Sequence, residues 1–371
     1  MAGLHFFNPA PLMKLVEIVS GLETGTDTLA ALQALAQRWG KQSVVCRSTP
    51  GFIVNRVARP FYAETLRALE ERVADAATLD AVLRDAGGFA MGPLQLTDLI
   101  GQDVNYAVTE SVYQAFLSGS ALHALTGATG AGGGRAPRPQ VRPRFSTATT
   151  HRDPPPRSPF APPAQAALPQ RVTLHGDWSS LADLAELLIE NAGPIKQPGQ
   201  TSPHVTIDDV TLMLTNGKTA GQLADERGTP VVLFDLCADY AHASAIAISC
   251  AAQNDAQHNA KAIRLLQSLG KQVIQLPDYP GLLTMRTLAM LANEALDVVN
   301  KGVASAEDTD LAMLRGVNYP RGPLAWGAAL GWCHILATLE NLQRYYGEAR
   351  YRPMPLLRRY ASPASFPGAE R

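Results

Sequence analysis

His5 and Glu17 are the residues whose types and separation could do acid–base work. They fall on two short apolar segments, Leu4 to Phe7 and Lys14 to Val19, joined by the turn Asn8-Pro9-Ala10-Pro11. If those segments pair as a hairpin, the imidazole and the carboxylate lie on neighbouring strands. A carboxylate that accepts one imidazole N–H fixes the tautomer of the ring and stabilises the imidazolium, while the other ring nitrogen takes a proton. Two surface side chains on an exposed hairpin would show the same spacing, so spacing alone leaves both readings open. The four cysteines, Cys46, Cys237, Cys250 and Cys333, form no C-x-x-C pair. That argues against a disulfide framework or a thiolate zinc site and for buried apolar thiols.

The elements that must position this pair follow at once. An amphipathic helix with Leu29, Leu32, Ala36 and Trp39 on one face ends at Gly40, and a short strand covers Ser43 to Cys46. Pro50-Gly51 forces a turn, Phe52 to Arg72 has helical spacing, and Asp75 can cap a further helix to Gly87. Gly92-Pro93 breaks the chain again before a last helical stretch, Leu94 to Phe116. A constant offset of 230 relates Leu35–Phe116 to Leu265–Tyr346: Gly40-Lys41-Gln42 matches Gly270-Lys271-Gln272, and Gly92-Pro93-Leu94 matches Gly322-Pro323-Leu324. This predicts two copies of one helical unit, packed on one another as a pseudo-dimer or forming a homodimer. Ahead of the second copy, apolar strands alternate with helices from Val172 to Leu269, which predicts a small doubly wound domain with a parallel sheet. Its first strand-to-helix turn, H-G-D-W-S-S, lacks the glycines that let a backbone approach a pyrophosphate.

Composition narrows the function. The 371 residues carry 32 basic and 33 acidic side chains, a net charge of -1, so no basic field exists to hold nucleic acid or an anionic membrane. No apolar run approaches the ~20 residues of a membrane helix and the start has no signal-like pattern, which predicts a soluble, cytoplasmic protein. From Thr126 to Gln170 the chain holds ten of its 27 prolines, with six arginines and one acid, the composition of a disordered linker.

Two motifs bring these observations together. G-L-H-F-F-N-P-A-P-L-M-K-L-V-E-I-V at the start, and S-T-P-G-F-I-V-N-R from Ser48 to Arg56, resemble the 3-hydroxyacyl-CoA dehydrogenase family, in its long two-copy bacterial form of the phenylacetate-degradation type. The resemblance implies NAD-dependent oxidation of a (3S)-3-hydroxyacyl-CoA to the 3-oxo thioester in fatty-acid or aromatic-acid catabolism. It implies His5 as the base, Glu17 as its orienting carboxylate, Asn55 as a hydrogen-bonding partner of the reacting groups, and Asn8 near the cofactor. Met285 stands where the second copy would need its amide, so that copy is expected to be structural. Arg56 and Arg59 read as exposed helix surface and are left out of the site.

In the family, a strand, a G-x-G-x-x-G turn and over a hundred residues precede H-F-F-N-P, whereas here that motif starts at residue 5. The expected architecture is therefore mixed α/β and α. It has remnant strands of an NAD-binding domain at 1–25 and a helical dehydrogenase C-terminal domain at 26–118. A linker at 119–170, a degenerate Rossmann-like domain at 171–278 and a second helical domain at 279–371 follow. On this reading the main NAD-binding domain is absent and the chain is truncated and impaired, with a non-catalytic helical assembly or substrate-binding module, partnering another chain, as the alternative.

Overall fold

The structure, a computed structural model, describes residues 1–116, 158–199 and 201–362. It opens with a three-stranded sheet in the order β1 (Ala2–Phe6), β2 (Leu15–Ser20), β3 (Gln42–Arg47), with β1 antiparallel and β3 parallel to β2. Helix α1 (Thr26–Arg38) makes the crossover that a parallel β2–β3 pair requires. On α1 only Ala36 is fully buried, and Trp39, expected on the inner face, is half exposed beside the Phe6 ring.

Five helices follow. They are α2 (Val54–Val57), α3 (Arg59–Glu70), α4 (Ala76–Ala81, extended by a π turn to Ala86), α5 (Pro93–Ile100) and α6 (Gln102–Phe116). The stretch predicted as one helix from Phe52 is two, because Pro60 has no N–H to continue a ladder and starts α3 instead. Asp75 caps α4 through the Thr78 amide, 2.8 Å away, as its position predicts.

The second sheet has seven strands in the order β10-β9-β8-β7-β6-β4-β5. In chain order these are β4 (Val172–His175), helix α7 (Ala182–Ala192), β5 (Ile195–Gln197), β6 (His204–Ile207), β7 (Val210–Leu214), helix α8 (Ala220–Arg227), β8 (Val231–Phe234), β9 (Ala245–Cys250), helix α9 (Ala256–Ser268) and β10 (Gln272–Leu276). The expected parallel sheet is in fact mixed: β4–β6, β6–β7 and β8–β9 are antiparallel. The two residues between β6 and β7, with Asp208 left-handed at φ 52, can only make a hairpin, and no helix lies between β8 and β9 to carry a crossover.

Helices α10 (Thr284–Asn300), α11 (Ala306–Gly316), α12 (Pro323–Leu330), α13 (Trp332–Tyr346) and α14 (Pro355–Tyr360) complete the chain. The expectation of two separate helical domains is corrected here. Helix α10, buried along almost its whole length, packs on α2 and α3, and one continuous apolar core runs through both helical stretches. Buried charges of one stretch find partners in the other: Glu64 of α3 meets Arg286 of α10 at 2.9 Å, and Arg56 of α2 meets Asp297 and Glu294. The helices therefore form a single helical domain.

Of the linker expected to be disordered at 119–170, residues 119–157 lie outside the described residues. The rest is docked: Phe160 bridges Ile274 at the outer edge of β10, the Ala161 amide donates to the Val273 carbonyl at 2.7 Å, and Gln267 holds the Ala164 amide. The corresponding edge of β3 is covered from α11, where the Val303 carbonyl accepts from the Arg47 amide and Asp308 accepts from the Val45 amide. The β3 and β10 edges are thus shielded from pairing with another chain.

Candidate active site

Glu17 lies at the centre of the first sheet, with His5 opposite it on β1 and Val44 on β3, and it is wholly buried. Its Oε2 is 2.5 Å from His5 Nδ1. An ionised carboxylate can only accept, so Nδ1 carries the ring proton and Nε2 keeps its lone pair. The imidazole remains partly open, with its side chain 29% exposed, while its faces are walled by Phe7, edge-on with centroids 4.7 Å apart, and Phe52 at 5.4 Å.

The second carboxylate oxygen is held as firmly. Oε1 accepts from the backbone amides of Ile53 and Val54 at 3.1 and 2.9 Å. These amides point inward because the chain turns through two left-handed residues, Gly51 at φ 75 and Phe52 at φ 45, before α2 begins. Glycine is required at 51 both for that conformation and for the approach of Val112, 3.0 Å from where a Cβ would stand. Lys41 steadies the opposite side of the site, donating from Nζ to the carbonyls of Ala10 and Met13 in the turn between β1 and β2. The result is an imidazole clamped at Nδ1 by a buried carboxylate, the arrangement of a general base and its orienting partner.

The structure brings His5 and Glu17 together. Asn8 is exposed at the start of the turn, and Asn55 is half-buried on α2, next to the amide that holds Glu17; neither side chain makes a hydrogen bond among the described residues. The amides of Ile53 and Val54 escaped a reading based on side chains, although the Pro50-Gly51 pair that turns them inward was visible. Arg56 and Arg59, expected on the surface, are buried: Arg56 in its ion pairs with α10, Arg59 donating to Asn105 and Thr109 of α6. Of the cysteines, Cys46 and Cys237 are buried as expected, Cys250 is half-buried and Cys333 is exposed. Burial, with the Glu17 and Asp308 carboxylates nearby, pushes the Cys46 thiol well up, so it stays a thiol. Among the described residues no group of three His, Cys, Asp or Glu could hold a metal ion, and no helix is long and apolar enough to cross a membrane.

Comparison with known families matches residues 1–49 to the NAD-binding domain of 3-hydroxyacyl-CoA dehydrogenases, and 212–280 to the reduced Rossmann-fold domain of 3-hydroxybutyryl-CoA dehydrogenases. The C-terminal domain of 3-hydroxyacyl-CoA dehydrogenases matches over 51–128 and 281–369, the two stretches that make up the single helical domain. The chain is 47% identical to the 3-hydroxyadipyl-CoA dehydrogenase of Escherichia coli K12 over 97% of its own length and 70% of that protein's. It is 41% identical to the mitochondrial hydroxyacyl-coenzyme A dehydrogenase of Sus scrofa, over 30% of the chain and 36% of that enzyme. The crystal structure of 3-hydroxybutyryl-CoA dehydrogenase from E. coli K12 superposes with a TM-score of 0.78 at 45% identity, covering 97% of this chain and 70% of that one. These matches correct three expectations. The opening strands match an NAD-binding domain, so the expectation that this domain is absent is corrected. The architecture is a Rossmann-type NAD-binding domain followed by one helical domain, not a repeated two-copy form. An impaired fragment finds no support in a match that runs along nearly the whole chain.

Proposed function

Because the chain belongs to the 3-hydroxyacyl-CoA dehydrogenase family, an oxidoreductase family, we propose that it oxidises the 3-hydroxyl of a (3S)-3-hydroxyacyl-CoA to the ketone with His5 as the base. The observation that carries this reading is the His5–Glu17 contact, made through Nδ1 on an imidazole that stays partly exposed. NAD, when bound, supplies the acceptor for the hydride that leaves C3. The residues present suit that group: the sheet on which His5 sits is the part matched to an NAD-binding domain, and Asn8, exposed at the end of β1 with no partner among the described residues, has its amide free for it.

On this proposal His5 Nε2 takes the hydroxyl proton as C3 becomes planar, and in the reverse direction the imidazolium returns it to the 3-oxo oxygen. Glu17 holds the ring in register and stabilises the positive charge that develops on it. The Ile53 and Val54 amides keep Glu17 from swinging toward the proton it must not take. Asn55, close by on α2, is the side chain we assign to the substrate's oxygens. The E. coli relatives are named for 3-hydroxyadipyl-CoA and 3-hydroxybutyryl-CoA, which favours short acyl chains and a place in fatty-acid or aromatic-acid breakdown.

The test is reduction of acetoacetyl-CoA by NADH, followed by loss of NADH absorbance. We expect turnover by the protein and a fall in kcat of about 10²–10⁴ in His5→Gln. An unchanged rate in a folded His5→Gln protein would remove His5 from the role.

A further inference from the structure

Arg59, at the start of α3, is a buried cation with no buried anion to answer it. It is 6% exposed and makes no ion pair among the described residues. Its Nη1 donates to Asn105 Oδ1 at 2.8 Å and to the Thr109 hydroxyl at 3.1 Å, while Nε is buried without a partner. The Tyr62 ring stacks on the guanidinium at 4.9 Å, which uses its face and leaves the in-plane fork of N–H groups for an acceptor. The Tyr319 hydroxyl, near enough to act on the Arg59 charge, is also buried without a partner. Buried acids of the surrounding helices are committed elsewhere, Glu64 to Arg67 and Arg286, Asp297 to Arg56 and Lys301. Burial pulls the pKa of Arg59 down, so the charge is held at a cost that an anion would relieve. We infer that Arg59 and Tyr319 receive a carboxylate at the far end of the substrate's acyl chain, a few carbons beyond C3, so that the favoured 3-hydroxyacyl-CoA carries a second acid group; the inference rests on the dehydrogenase reading above.

The other helical stretch shows what these positions hold when packing alone decides them. At the offset of 230, Arg59, Tyr62, Asn105 and Thr109 correspond to Ala289, Ala292, Ile335 and Leu339, all apolar and all fully buried. The polar set belongs to the stretch that serves His5. Three elements that wall His5 also carry this set. Asn55, assigned to the substrate's oxygens, precedes Arg59 by four residues. Asn105, Thr109 and Val112 share one face of α6, and Val112 reaches Gly51, next to the Phe52 ring on His5. A Cβ on Gly316 would stand 3.7 Å from Phe7, the other ring on His5, and Tyr319 follows three residues later, a span of ~10 Å at most.

The experiment is calorimetric titration of the whole chain with adipyl-CoA and, separately, with hexanoyl-CoA. Their acyl groups have the same number of carbons and differ at the far end, a carboxylate in one and a methyl in the other; neither has a 3-hydroxyl to react. We expect adipyl-CoA to bind tighter by about tenfold or more, the usual worth of hydrogen bonds to a charged group. Arg59→Met, an uncharged chain suited to a buried site, should erase the difference, and Tyr319→Phe should shrink it. Equal affinities in the unaltered protein overturn the proposal, as does a preference that survives Arg59→Met or, should that variant not fold, one that survives Tyr319→Phe undiminished. Equal affinities with acetoacetyl-CoA reduction intact would remove the carboxylate site alone, whereas a preference for adipyl-CoA without that reduction would remove the oxidation chemistry alone.

Discussion

Glu17 does two things at once, and they separate by mutation. Glu17→Gln retains an oxygen for the Ile53 and Val54 amides but loses the charge that stabilises the imidazolium. We expect kcat for acetoacetyl-CoA reduction to fall roughly tenfold to a hundredfold with KM little changed; an effect confined to KM would make Glu17 a substrate-binding group instead. At this scale the sequence was informative where the chemistry lay in side chains and silent where it lay in the backbone. His5 and Glu17 could be set on neighbouring strands of a hairpin and given roles by the family resemblance, whereas the amides of Ile53 and Val54 carry no mark of their own. Arg56 and Arg59 were misread for a related reason. An arginine on a helix reads as surface unless its acid is known, and the acid for Arg56 lies 241 residues away, in α10.

The elements are held in place by small, repeated devices. Asp80 accepts from the amides of Leu94 and Gln95 at the start of α5, and Asp310 does the same for Leu324 and Ala325 at the start of α12. Gly92 and Gly322 are glycines because any Cβ there would collide with those carboxylates. Asp80→Ala and Asp310→Ala should each cost about 1–2 kcal/mol in urea unfolding, the usual value of a lost cap, and the two losses should add. A different device sits at the edge of the large sheet. His175 and His204, opposite one another on β4 and β6, stack with centroids 4.7 Å apart and planes 10° from parallel. Burial, with the Arg227 and His175 charges, outweighs the hydrogen bond to the Ser202 carbonyl and lowers the His204 pKa. The neutral ring is then the form that suits the fold, so its contribution is complete above the unfolded value of ~6.5 and is lost as pH falls through that value toward the folded one. Protection factors in β4 and β6, with the intrinsic pH dependence of amide exchange divided out, should therefore fall between about pH 7.5 and about pH 5.5, and His204→Gln should flatten the change. Helix ends were legible here because Gly, Pro and Asp announce them. The mixed directions of the large sheet were not, since β5 is exposed and only three residues long and apolar strands look alike whichever way they run.

At the scale of the molecule, one buried cluster joins the two helical stretches. Glu64 is fully enclosed. Burial alone would raise its pKa, but Arg67, Arg286 and Arg350, with a hydrogen bond from the Tyr351 hydroxyl, hold it below the ordinary value. Glu64→Gln leaves Arg286 buried without its anion and should cost about 3–5 kcal/mol in urea unfolding, whereas Glu64→Leu combined with Arg286→Met should recover most of that loss. Equal losses in the single and double variants would show that shape, and not charge, holds the stretches together. That the helices form one domain was hidden from the sequence because each stretch taken alone has a plausible apolar face; the evidence lay in charges whose partners are distant. The same distance sets a timetable for the chain as it is made. Arg56 is 241 residues ahead of Asp297, and Val45 is 263 ahead of the Asp308 carboxylate that covers its strand. At ~5–20 residues per second, a ribosome takes roughly ten to fifty seconds to supply those partners. Throughout that interval the nascent chain exposes the β3 edge and an arginine still without its Asp297 carboxylate, so the first half of this protein waits for the second before it can finish folding, and chaperones have that long to act.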